Sequence, residues 1–245
     1  GFPIIGENGK VPEVVTVLDT GYQYAAINGS DDFSYKPDEN GQITLKNFWE
    51  FNHQQMDDFW SVTENPGHLR LHSAKLSPTL FQAYNTLTQR TVGPKCAAEV
   101  TLRFAHMKNG DVAGISTFIG NYGFTGVKKE NDQFYLIMMG RPAKDTTVFG
   151  QFEYENPGLE YARVPIYGES ICLRAEADFT DKRDLSSFYY KEGDNWQKLG
   201  IDQPMYFKMD LFTGCRFGLF YYSTEQTGGY VDFSKFQFIW PEYVY

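Results

Sequence analysis

The sequence predicts an all-β protein: a two-sheet antiparallel β-sandwich, or jelly roll. Three observations predict it. Apolar and polar residues alternate with period two in run after run, the signature of strands with one buried face. No stretch longer than about ten residues keeps the 3.6-residue apolar period of an amphipathic helix. Of the 245 residues, 17% are aromatic, mostly Phe and Tyr, which suit pleated, half-buried surfaces. Roughly a dozen strand candidates are separated by Gly, Pro, Asn or Asp turns, as in a sandwich.

Residues 1–29 differ from the rest. They carry Pro3, Pro12 and several glycines with short extended pieces such as 14–18, which reads as a linker or the tail of another domain. The chain opens on Gly1 rather than Met, as a mature form or an excised fragment would. The sandwich is expected over residues 30–245. Residues 48–90 hold two tryptophans, the Asn52-His53 pair, the Pro66-Gly67 turn and the Gln89-Arg90 pair among alternating apolar residues, the texture of an accessible polar-aromatic face. Val100, Leu102 and Phe104 alternate with Glu99, Thr101 and Arg103. Ile171, Leu173, Ala175 and Ala177 do the same against Cys172, Arg174, Glu176 and Asp178. Residues 191–195 form a hairpin signal, and runs 217–222 and 230–240 close the chain around Thr227-Gly228-Gly229. Val100, Leu102, Phe104, Leu173, Leu219 and Phe233 are expected to point inward, since a one-residue slip would turn each to solvent.

A net charge of −9 argues against nucleic acid, whose phosphates need clustered Lys and Arg. No apolar run approaches the roughly 20 residues that span a bilayer, so no membrane partner is expected. Cys96, Cys172 and Cys215 lie far apart, are odd in number and have no metal-ligand spacing; they read as buried thiols. His53, His68, His72 and His106 show no zinc pattern, and His68 and His72 read as surface groups. There is no Gly-x-Ser-x-Gly elbow and no phosphate loop. Glu176 and Asp178 share a strand face and Asp181 follows; such carboxylates could act as acid and nucleophile on a glycoside, or form a solvated strand face entering a turn. If the first and last strands pair, Asp32 and Asp232 with backbone carbonyls could form an oxygen-only site for Ca²⁺, and Asp232 would lie near Asp31-Asp32.

Residues 60–71 (WSVTENPGHLRL), 84–90 (YNTLTQR) and 228–236 (GGYVDFSKF) resemble the C-terminal β-sandwich of glycoside hydrolase family 43, in its β-xylosidase and α-L-arabinofuranosidase branch from gut Bacteroidetes. Residues 113–115 and 212–219 fit the same pattern, so the resemblance covers about 31–240. Residues 2–12 (FPIIGENGKVP) resemble the last strand and exit of that family's five-bladed catalytic propeller. The resemblance implies a concanavalin A-like jelly roll. It also implies an accessory role, because the family's catalytic residues are two aspartates and a glutamate of the propeller and none can be placed here. The expected partners are an upstream propeller of the same polypeptide and an arabinoxylan-type plant polysaccharide. In relatives the sandwich lends residues to the pocket rim, which makes Trp49, Asn52, His53, Gln89 and Arg90 the candidates, expected together on one face. A secreted, periplasmic or outer-surface location follows from the resemblance. Two other readings stay open: a free carbohydrate-binding module, and a self-contained hydrolase using Glu176, Asp178 and Asp181, whose spacing is similar to the Glu-x-Asp-x-x-Glu strand of laminarinase-like jelly rolls.

Overall fold

Among the described residues the alternating runs become fifteen strands in two sheets. The computed structural model describes residues 6, 10, 14, 16, 18, 20–141, 155–206 and 214–240. One sheet holds β1 (Glu50–Phe51), β4 (Leu87–Arg90), β6 (Asp111–Phe118), β7 (Gly123–Glu130), β8 (Gln133–Gly140), β9 (Leu159–Ile166) and β14 (Arg216–Ser223), in the order β1-β4-β14-β6-β7-β8-β9. The other holds β2 (Trp60–Ser61), β3 (Leu69–His72), β5 (Lys95–Arg103), β10 (Ser170–Asp178), β11 (Leu185–Glu192), β12 (Asn195–Lys198) and β15 (Tyr230–Ile239), in the order β12-β11-β10-β5-β15-β3-β2. The short β13 (Gln203–Pro204) pairs with β11 as its eighth strand. The helical pieces among the described residues are three single 3-10 turns. For the expected extended piece at 14–18, residues 15 and 17 lie outside the described ones; residues 20–27 are exposed, and packing begins at Asn28 and Gly29.

The core between the sheets follows the pleat. Val100 and Leu102 of β5, Leu173 of β10, Leu219 of β14 and Phe233 of β15 are at most 2% exposed, as is Phe104 just past β5. Each fully buried Leu or Phe contributes about 1.5–3 kcal/mol. Two hairpins turn on two residues: Asn131-Asp132, both at positive φ, and Gly193-Asp194, with Gly193 at φ 59°. β15 breaks period two. Phe233 and Phe236 both face the core because a bulge at Lys235, φ 53°, adds a residue and shifts the register to β5.

At that bulge Asp31 bridges to Phe236 through both backbone hydrogen bonds, so the expected pairing of the opening segment with the last strand is present. Asp31 is 2% exposed and its carboxylate is a hub. It accepts bonds from the Phe33 amide (3.0 Å), the Trp49 indole (2.7 Å), the Tyr35 hydroxyl and the Lys46 ammonium (3.0 Å). Full satisfaction is what makes a buried carboxylate tolerable.

The two outer faces differ. On the seven-stranded sheet, Phe118, Phe124, Ile137, Phe220 and Tyr222 form a second apolar cluster. Phe81, from the 3-10 turn Leu80–Gln82, packs on it, with ring contacts to Phe118 at 5.4 Å and Tyr122 at 4.9 Å. A glycine pair, Gly114 opposite Gly126, runs through it between Phe220 and Ile137. A Cβ on Gly114 would stand 2.2 Å from the Thr125 carbonyl, so only glycine fits. The outer face of the eight-stranded sheet is polar and ion-paired.

Candidate functional site

The five expected rim residues do not share a face. The register pairs Glu50 with Thr88 and Phe51 with Leu87, so successive side chains go to opposite sides. Trp49 turns into the core, 7% exposed, with its indole N–H held by Asp31; it is not available to stack on a sugar. Gln89 is fully buried, and its amide group clamps Gly29: the Gly29 amide donates to Oε1 at 2.7 Å and Nε2 donates to the Gly29 carbonyl at 3.0 Å. It acts as an extra piece of backbone, and neither polar atom is left for a ligand.

Asn52, His53 and Arg90 do stand on accessible surface. The Asn52 backbone N–H donates to the Thr86 carbonyl (3.0 Å), and its side-chain nitrogen lies 3.3 Å from His53 Nε2. Arg90 is exposed four residues further along β4, about 13 Å away at strand rise. His53 Nε2 lies 2.6 Å from the Phe81 carbonyl oxygen, which can only accept. His53 opens a shallow groove with Met56, Lys75, Gln82 and Tyr84, where the Lys75 ammonium sits 4.3 Å from the Tyr84 ring centre.

The expected calcium site does not fit its residues. Asp232 is held by Arg70 in a fork, Nε to Oδ1 at 2.7 Å and Nη2 to Oδ2 at 2.9 Å, and by the Asn65 amide at 2.9 Å. Burial would raise the Asp232 pKa, but these bonds outweigh it and hold the carboxyl below its ordinary value. The guanidinium supplies the positive charge that a cation would bring. Asp32, one residue from the hub, is exposed and caps the Ser34 amide at 3.0 Å. Among the described residues no group of three or more His, Cys, Asp or Glu is placed to hold a metal.

Glu176 and Asp178 do share a face, and line a groove of about 370 Å³ over β10 and β11. Every charge there has a partner. Arg174 bonds Glu99 and Glu176, both at 2.6 Å. Lys95 lies 2.8 Å from Asp178, and Lys198 and the Ser187 hydroxyl both approach Asp202 at 2.5 Å. Burial tends to raise the Asp178 pKa, yet the bonds from Lys95 and Thr180 leave it lowered; Lys198 and Ser187 lower that of Asp202. A general acid on a glycoside needs the opposite shift. Asp181 is not on this face: it sits in the 3-10 turn Thr180–Lys182 at φ 51°, because the strand ends at Asp178. Among the described residues one carboxyl does have a raised pKa, Asp111, mainly through burial. It is fully enclosed, bonded by Tyr221 at 2.7 Å and by Ser223, where no substrate reaches.

The three cysteines are free. Burial pushes the Cys96 thiol up to about 11 and the Cys215 thiol up to about 12, so both are unreactive near neutrality.

The described residues thus form a two-sheet antiparallel β-sandwich whose grooved outer face has its carboxylates tied in ion pairs. The chain belongs to the family of β-xylosidase C-terminal concanavalin A-like domains, which it matches over residues 37–239. It is 27% identical to a β-xylosidase from Formosa agariphila, across 97% of this chain and 40% of that protein. Among solved structures it is similar to a bifunctional GH43-CE protein of Bacteroides eggerthii, with a TM-score of 0.80 and 34% identity over 97% of this chain and 29% of that one. It is also similar to a GH43 glycoside hydrolase whose active site was engineered to give an enzyme with both endo-xylanase and exo-arabinofuranosidase activity, with a TM-score of 0.77 and 27% identity over 90% of this chain and 42% of that one. The chain thus spans well under half the length of these relatives.

Proposed function

We propose that this domain is the accessory sandwich of a longer family 43 glycoside hydrolase acting on arabinoxylan-type plant polysaccharide outside the cytoplasm. It packs on the catalytic propeller of the same polypeptide and stiffens it. Asn52, His53 and Arg90 are the residues of this chain that reach the pocket rim, where amide, imidazole and guanidinium groups can hydrogen-bond sugar hydroxyls. The observation that carries this reading is the family match over 37–239, combined with the small share of the relatives that the chain spans. The engagement of Glu176 with Arg174 and of Asp178 with Lys95 supports it, and the Asp178 carboxyl is held below its ordinary pKa, the opposite of what a general acid needs.

The test is made in the polypeptide that carries the domain. Deleting residues 30–240 should lower both the melting temperature and the turnover of aryl arabinofuranosides or xylosides. His53→Ala and Arg90→Ala should lower turnover with little change in melting temperature. Equal stability and turnover after the deletion would contradict the reading.

A further inference from the structure

The charged groove over β10 and β11 is satisfied by its own ion pairs. A second groove, of about 460 Å³, is not. It lies at the margin of the sandwich, between the β9–β10 turn and the β11–β12 hairpin. Its floor is apolar: Pro165 with Ile166 and Ile171, the last two packed on the margin of the inter-sheet core. Tyr167 stands on its rim, 84% exposed, beside Gly168 at φ 100°, and makes no ring contact among the described residues. Tyr190 supplies a second, half-buried ring.

The polar groups on the rim are the Tyr167, Tyr190 and Ser170 hydroxyls, the Lys191 ammonium and the Glu192 carboxylate. Among the described residues none of these five has a hydrogen bond or ion pair; Lys191 lies 6.0 Å from the Trp196 ring. The groove therefore offers an open aromatic face, an apolar floor and unengaged donors and acceptors whose charges cancel. A sugar ring has that complement: an apolar C–H face to lie on a ring and hydroxyls that both donate and accept. The volume falls within the roughly 300–1,000 Å³ of small-ligand sites.

We infer that this marginal groove is a binding site for a neutral oligosaccharide, with Tyr167 as its stacking platform and Ser170, Lys191 and Glu192 as its hydroxyl partners. The site is separate from the rim residues Asn52, His53 and Arg90 and does not depend on the accessory role. It gives this domain a hold on polysaccharide of its own.

The test uses the purified chain. Affinity electrophoresis in soluble arabinoxylan, and calorimetric titration with xylohexaose, compare the parent with Tyr167→Ala and with Lys198→Met in the charged groove. Tyr167 is exposed on a turn, so its removal should leave the melting temperature unchanged. The expected result is retardation of the parent, affinity weakened about tenfold or more in Tyr167→Ala, and Lys198→Met like the parent. No binding by the parent, or binding untouched in Tyr167→Ala, would overturn the inference. A further arm, Glu192→Gln, should weaken binding less than Tyr167→Ala; a loss confined to Lys198→Met would place any sugar in the charged groove instead and overturn it as well.

Discussion

The outer faces of the two sheets are made from the same strand alternation and end up chemically opposite. On the seven-stranded sheet the outward positions of β6, β7, β8 and β14 carry Phe118, Phe124, Ile137 and Phe220, with Gly114 and Gly126 between them. The Phe124 and Phe220 rings meet at 4.8 Å, edge to face, beside the glycines. On the eight-stranded sheet the outward positions of β5, β10, β3 and β15 carry Glu99, Arg174, Glu176, Arg70 and Asp232. One face is sealed by shape and the other by charge. Sealing by shape leaves no tolerance for an added atom. Sealing by charge leaves a surface that is polar yet has few groups to offer a ligand.

Substitutions can break this contrast in order of size. Gly114→Ala would place a methyl 2.2 Å from the Thr125 carbonyl and 2.6 Å from Gly126 Cα, both backbone atoms that cannot swing away. It should cost about 3 kcal/mol or more, read by urea unfolding. A variant as stable as the parent would show that the apolar face is not tightly packed.

Arg70→Met comes next. It strands the Asp232 carboxylate, which is 5% exposed, with Asn65 as its remaining partner, and should cost about 2–4 kcal/mol at neutral pH. The pH dependence sharpens the point. The folded-state pKa of Asp232 lies below its ordinary value of 3.8, so the pair's contribution is complete above that value. It is lost as the pH falls through the folded value. Parent stability should therefore drop as the pH falls below about 4, and Arg70→Met should flatten that part of the profile. An unchanged slope would mean that the fork does not hold Asp232 ionised.

Arg174→Met should have the smallest effect. Arg174 bonds two carboxylates, but Arg174, Glu99 and Glu176 are 22%, 24% and 35% exposed and solvent screens them. A loss of about 1 kcal/mol or less is expected in the same unfolding assay. A loss matching that of Arg70→Met would mean that this network is structural rather than a surface feature.

Much of this architecture was legible in the sequence. Period two placed Val100, Leu102, Leu173, Leu219 and Phe233 inward, and the 191–195 hairpin turns on Gly193-Asp194. The site was less legible. Trp49 and Gln89 read as surface groups because polarity and aromaticity do not tell which side of a short strand a residue takes; β1 has two residues and its phase is set by pairing with β4. Asp31 and Asp32 are identical side by side, and Phe33 at φ 56° breaks the alternation that would have separated hub from surface. The partner of Asp232 comes from Arg70, 162 residues away, a contact that no local pattern encodes. The apolar outer face of the seven-stranded sheet could have been found, since β6 and β14 are buried along their whole lengths and read as near-continuous apolar and small residues.

The central claim is that the carboxylates of this domain serve structure and not hydrolysis. The direct measurement is turnover of aryl xylosides and aryl arabinofuranosides by the purified chain beside its Glu176→Gln and Asp178→Asn variants. Hydrolysis needs two carboxyl groups with opposed protonation states around a sugar; here Glu176 is bonded to Arg174, and Lys95 with Thr180 holds Asp178 below its ordinary pKa. The account predicts rates for the parent that are no higher than those of the two variants. Turnover that persists through purification of the parent and disappears in both variants would contradict it.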